Sequence, residues 1–181
     1  MTIIYKPTYR PGYELCHPVD RNDFETIRVL LNGIARAATW IPLKMQIIRE
    51  DEGKKLRESD SPWLSSHILI FRPRAIAALG PMLLKYGELL PTQCADAELS
   101  LYNVTRALNA LDEEASSVER FGDGRIMFVN RHVFREEVIG ENDIFKLPGL
   151  RAEPIYVSQR FVDLWHSAGL KGFDFDQVWP A

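Results

Sequence analysis

The sequence predicts an α+β fold: a mixed or mostly antiparallel sheet with a few short helices, two strand–helix–strand units flanking a β-rich middle. Three observations carry it. An apolar strand runs into a helix start twice, at 69–79 and again at 155–165. Between them, residues 99–147 hold short β-branched and aromatic runs broken by turn signals. The 181 residues are 46% hydrophobic and 26% charged, enough apolar surface for a real core and too much for intrinsic disorder. That length fits one domain or two small ones.

The elements follow in order. Three prolines and three tyrosines between Tyr5 and Asp20 predict an extended, irregular opening with one short strand around Tyr13, Glu14 and Leu15. Asp20 or Asn22 can cap a helix whose apolar positions Phe24, Ile27, Leu30, Leu31 and Ile34 share one face, with Gly33 blurring its end. Residues 43–49 alternate as a half-buried strand does. From Asp51 to Asp60 charge dominates, and Ser61-Pro62 follows, so a loop is expected there. This divides the chain into an N-terminal portion, 1–60, with an extended start, one helix and an edge strand, and a core, 61–181, on which that portion packs.

The two strand–helix–strand units echo one another. Laid over each other, 69–79 and 155–165 place Arg74 on Arg160. Pro73 suits the first helical position, where its missing N–H costs nothing, and Ser158 suits the N-cap. The helices should bury Ile76 and Leu79 in the first unit and Phe161, Leu164 and Trp165 in the second. Each unit closes on glycine and a second strand, at 87–90 and 172–176. There Phe173 and Phe175 alternate with Asp174 and Asp176, which predicts one buried and one acidic face. In the middle, 99–104 reads as a strand and 105–111 as a short helix. Asp112 to Ser117 reads as a polar turn, Gly122-Asp123-Gly124 as a tight turn before a strand at 125–129, and 132–147 as strand–loop–strand ended by Pro148-Gly149.

Charge and cysteine usage exclude several classes of function. With 22 Lys+Arg against 25 Asp+Glu, the chain lacks the basic excess of a dedicated nucleic-acid binder. No stretch approaches the roughly 20 apolar residues of a membrane span, and the N-terminus lacks a signal-peptide run. A cytoplasmic protein is expected, with neither nucleic acid nor membrane as partner. Cys16 and Cys94 are too few for a disulfide framework. Adjacent residues on a strand point to opposite faces, so Cys16 and His17 make a poor thiol–imidazole pair. His17, His67, His132 and His166 stand singly, without metal-ligand spacing. No catalytic constellation emerges. Arg72 and Arg74 beside Phe71 read as a helix start with solvated arginines, and Trp63 and Trp179 as core rather than interface anchors. The acidic residues Asp112, Glu113, Glu114 and Glu119, together with Asp174 and Asp176, are solvated faces whose use would be to meet a basic partner.

Four blocks carry a resemblance: 102–116 (YNVTRALNALDEEAS), 143–148 (DIFKLP), 155–161 (IYVSQRF) and 168–175 (AGLKGFDF). In this order and spacing, from about Ser61 to Trp179, the chain resembles the immunity protein 11 family of bacterial polymorphic-toxin systems, earlier described only as a domain of unknown function. The segment at 87–91 falls where a like one is expected, and 39–42 extends the likeness more loosely. The resemblance implies a cytosolic α+β protein, encoded beside a toxin in a system of bacterial competition, that binds that toxin and protects its producer. It implies no enzyme activity, no cofactor and no metal, and it carries over no contact residues. The six acidic positions are the candidate toxin-facing surface. Two alternatives stay open: an oligomeric scaffold or regulatory module, such as a homodimer, and a small hydrolase using Cys16 or a histidine.

Overall fold

The computed structural model describes residues 2–149 and 154–180. The N-terminal portion holds β1 (Ile4–Tyr9), β2 (Leu15–Pro18), α1 (Asp23–Val29), β3 (Lys44–Ile48), β4 (Glu50–Asp51) and β5 (Lys54–Lys55). Then come β6 (Leu69–Phe71), α2 (Pro73–Tyr86), β7 (Gly87–Pro91), β8 (Gln93–Cys94) and β9 (Ser100–Val104). The chain continues through β10 (Ser117–Arg120), β11 (Ile126–Arg131), α3 (Glu136–Ile139), β12 (Ile144–Phe145), β13 (Tyr156–Ser158), α4 (Gln159–Ser167) and β14 (Phe173–Trp179). Apart from the parallel pair β3–β8, the strands pair antiparallel, so the class is α+β as the sequence predicts.

Both strand–helix–strand units are present, and they share a topology. β6 and β7 lie on either side of β9 and antiparallel to it. β13 and β14 lie on either side of β1 and antiparallel to it. Each unit is therefore a parallel pair of strands with one foreign antiparallel strand wedged between, and a helix crossing over. The two helices pack on each other, and one apolar cluster, including Phe71, Leu83, Phe161, Trp165 and Phe173, joins the two units.

The echo extends to buried polar chemistry. In the first unit Arg74 holds Asp60 at 2.8 Å and donates to the Ala168 carbonyl, past the end of α4, at 2.8 Å. In the second, Arg160 holds Asp143, beside Tyr86 at the end of α2, whose hydroxyl lies 3.2 Å from that carboxylate. The backbone carbonyls of Asp60 and Asp143 accept from Arg72 N–H and Ser158 N–H, each at 2.9 Å. So each helix begins on an Arg–Asp pair beside a residue from the end of the other helix, and Arg74 also meets carbonyls past the end of α4, where cations are favoured. The closing glycines match as well. A Cβ at Gly87 would strike the Asn103 carbonyl, and one at Gly172, whose φ is +123°, would strike the Ser61 carbonyl.

The helix starts form as expected: Pro73 opens α2, and the Ser158 hydroxyl accepts from Phe161 N–H at 3.3 Å. Several expectations are corrected. The opening is not irregular: β1 is an inner strand, and Pro7 is tolerated because beyond Tyr5 only β14 flanks it. The short strand near Tyr13 forms slightly later, as β2. β3 is not an edge strand, since β2 and β8 flank it. The charged loop contains the β4–β5 hairpin, turned by Glu52 and Gly53 at positive φ, with Glu50 facing Lys55 and Asp51 facing Lys54.

Residues 105–111 form no helix. Their backbone bonds run outward instead, Thr105 and Arg106 N–H to Tyr86 and Leu108 N–H to Lys146; tertiary pairing overrides local propensity. The predicted loop within 132–147 contains α3. α1 ends at Val29 and tightens into a 3-10 turn at Leu30–Asn32, stopped by Gly33 at φ 74°. Its apolar face is only half used: Ile27 and Leu30 are buried, while Phe24 and Ile34 are exposed. The Leu31 side chain lies outside what the structure describes. On α4, Phe161 and Trp165 are buried but Leu164 is exposed, and on α2 Ile76 is only partly covered.

A buried ion pair ties the N-terminal portion to α2. The Glu14 carboxylate is fully buried and accepts from Arg72 Nη2 at 2.6 Å and Ser59 N–H at 3.0 Å.

Candidate functional site

Asp112 shapes the turn before β10, its Oδ1 accepting the N–H groups of Glu114 and Ala115 at 3.1 and 3.0 Å. Glu113 reaches Arg120 at 2.7 Å. Glu119 accepts from Asn130 on the facing strand at 2.9 Å, and Glu114 is exposed. These four carboxylates surround one hairpin, β10–β11. Sequence reasoning missed its other half: Phe121, Met127 and Phe128 are exposed on the same hairpin, with Phe128 opposite Glu119. Carboxylates and bare aromatic rings therefore share one surface.

Asp174 and Asp176 lie on another sheet. They occupy the outer face of β14, as the alternation predicts, but that face is not simply acidic. Lys6 on β1 lies 3.7 Å from Asp176, and Arg10, just past the end of β1, lies 3.6 Å from Asp174. The cations come from the far end of the chain, which local alternation does not reveal.

A groove opens on the N-terminal portion. α1 turns Thr26, Val29 and Leu30, which share one helical face, toward the chain at 36–43, and a cavity of about 450 Å³ lies between. Leu30, Trp40 and Leu43 floor it. The Trp40 indole donates to the Pro91 carbonyl at 2.8 Å, which fixes the ring. The Glu88 carboxylate on β7 accepts the backbone N–H groups of Arg36 and Ala37, holding the opposite wall in place. Val29 and Ile41 stand at the rim, 44% and 78% exposed. Arg36 is the one charged lining residue, and its Nε is buried without a hydrogen-bond partner among the described residues.

The remaining candidates serve the fold. Cys16 is buried while His17 points outward on β2; burial, then Cys94 and Glu14, push the Cys16 thiol up to about 12, which leaves it inert. The buried His132 Nε2 lies 2.8 Å from the Tyr156 hydroxyl. Arg72 and Arg74 are engaged by Glu14 and Asp60. Trp63 packs between Tyr9 and Phe173, and Trp179 against Phe134. Among the described residues no group of three or more His, Cys, Asp or Glu is placed to hold a metal ion. No helix among them is long and apolar enough to cross a membrane.

No curated protein matches the chain. A family model does, and its match begins in β8 and ends on the last residue of β14, so it takes in all four of the resembling blocks and leaves out the segments at 39–42 and 87–91. Over residues 94–179 the chain matches the Immunity protein family (Imm11), the family those blocks resemble.

Proposed function

We propose that this protein is an immunity protein: a cytoplasmic binder that covers a cognate toxin encoded nearby and so protects the cell that makes both. The observation that carries this reading is the match of residues 94–179 to an immunity protein family. The surface supports binding rather than turnover. Cys16, the nucleophile a hydrolase would use, is buried with its thiol pushed up to about 12. The β10–β11 hairpin instead offers aromatic side chains among carboxylates, the composition of an interface that anchors apolar groups and selects charge.

Among the six acidic candidates, Glu114 and Glu119 suit a basic toxin surface best, because no cation is paired with either among the described residues. Asp112 is spent on its turn, Glu113 on Arg120, and Asp174 and Asp176 face the basic neighbours Arg10 and Lys6.

Co-expression with the product of each neighbouring gene tests the function. One of those products should be toxic alone, become harmless with this chain, and co-purify with it. Absence of both binding and protection would refute the reading. Self-association without any neighbouring partner would favour the scaffold alternative.

A further inference from the structure

We propose that the groove between α1 and residues 36–43 is a docking site that seats an apolar, carboxylate-bearing segment of the partner protein, with its acid group against Arg36. This rests on the immunity reading above and names a contact that reading does not.

Apolar side chains meet at this groove and stay open to solvent. Among the described residues ten large hydrophobic side chains are exposed; two of them, Val29 and Ile41, line the groove together, and Val19, Phe24 and Ile34 come from the same stretch of chain. Clustered apolar exposure marks an interaction site, whereas scattered exposure does not. The floor is already built, since Trp40 and the 36–37 backbone are held by Pro91 and Glu88. An occupant would meet a preformed shape and cost little ordering.

Charge chooses the occupant's chemistry. Arg36 is the one charged group in the lining, and no ion pair holds its guanidinium among the described residues. A carboxylate is the partner that a guanidinium matches bidentately. The rim decides between a protein and a small acid. Val29 and Ile41 stand out of the groove into solvent, where a small ligand would leave them wet and a protein surface would cover them. The groove also lies outside residues 94–179, the stretch that the family match takes in.

The test is isothermal titration of the full-length chain with the neighbouring gene product that co-purifies with it, in an inactive form. Ile41→Glu alters a side chain that is 78% exposed, so the fold should survive, as an unchanged thermal transition would verify. Its affinity should fall at least 100-fold. Arg36→Met should weaken binding about tenfold and flatten its salt dependence, the mark of a lost ion pair. Leu84→Glu, at an exposed apolar side chain outside the groove, serves as the comparison and should keep wild-type affinity; an equal loss there would overturn the groove's special part. Wild-type affinity in both groove variants would overturn the proposal while leaving the immunity reading intact. No binding by the wild-type chain would overturn both. Should Ile41→Glu instead abolish a dimer seen by light scattering and leave the partner's affinity unchanged, the occupant is a second copy and the proposal is wrong.

Discussion

Lys146 carries an amino group into the interior: the residue is 4% exposed and its Nζ has no hydrogen-bond partner among the described residues. Burial alone pushes its pKa down to about 8 from an ordinary 10.5. The consequence has a definite sign. Between these two values the unfolded chain holds a proton that the folded chain has released, so this residue's contribution to stability rises with pH across that window. Below it, the folded state carries the whole cost of a buried cation, about 3 kcal/mol by linkage. Lys146→Met should therefore stabilise the protein at pH 7, and the gain should vanish as pH approaches 10.5. Urea unfolding of both proteins at pH 7 and 10 checks this, and a gain independent of pH would contradict it. Nothing in the sequence marks this lysine. It stands between Phe145 and Leu147 in a strand-like run where an exposed polar residue is expected, and only the segment at 105–111, pairing along it instead of coiling, shows that its side is covered.

At the level of elements, the two units show what a local signal can and cannot convey. Pro73 and Ser158 act within one turn of their own helices, so both starts were legible. The strand wedged into each unit was not, because β1 and β9 enter from opposite directions along the chain and no local pattern records the pairing. The closing glycines lie between these cases. Their place in the echo is visible in sequence, but their necessity comes from the Asn103 and Ser61 carbonyls pressed against them. Gly87→Ala and Gly172→Ala should each cost about 2 kcal/mol or more, since backbone must move to admit the methyl. Gly122→Ala, where a Cβ meets nothing within 4 Å, should change stability little. Thermal unfolding of the three variants distinguishes them, and an undisturbed Gly172→Ala would count against the close approach. The groove was missed for a related reason: the helical spacing of Phe24, Ile27, Leu30 and Ile34 reports an apolar face without reporting whether anything in the chain covers it.

For the molecule as a whole, β1 is the decisive strand. It lies between β13 and β14, while Glu14 is locked to Arg72, so residues 1–60 and 61–181 are expected to fold as one unit. The family-matched stretch contains β9, β13 and β14 but neither β1 nor the β6–α2–β7 unit. Expressed alone, residues 94–181 should fail to give a cooperative thermal transition, as should a chain lacking residues 1–10, whereas the full chain should unfold in one step. A cooperative transition in either truncated form would refute this. The same placement governs how the protein is made. At about 5–20 residues per second a ribosome needs on the order of ten to forty seconds to travel from the first strand to the last. Until β13 and β14 have been made, β1 has neither of its neighbours. The four-stranded sheet, and any protection that depends on it, cannot close before β14 has been synthesised.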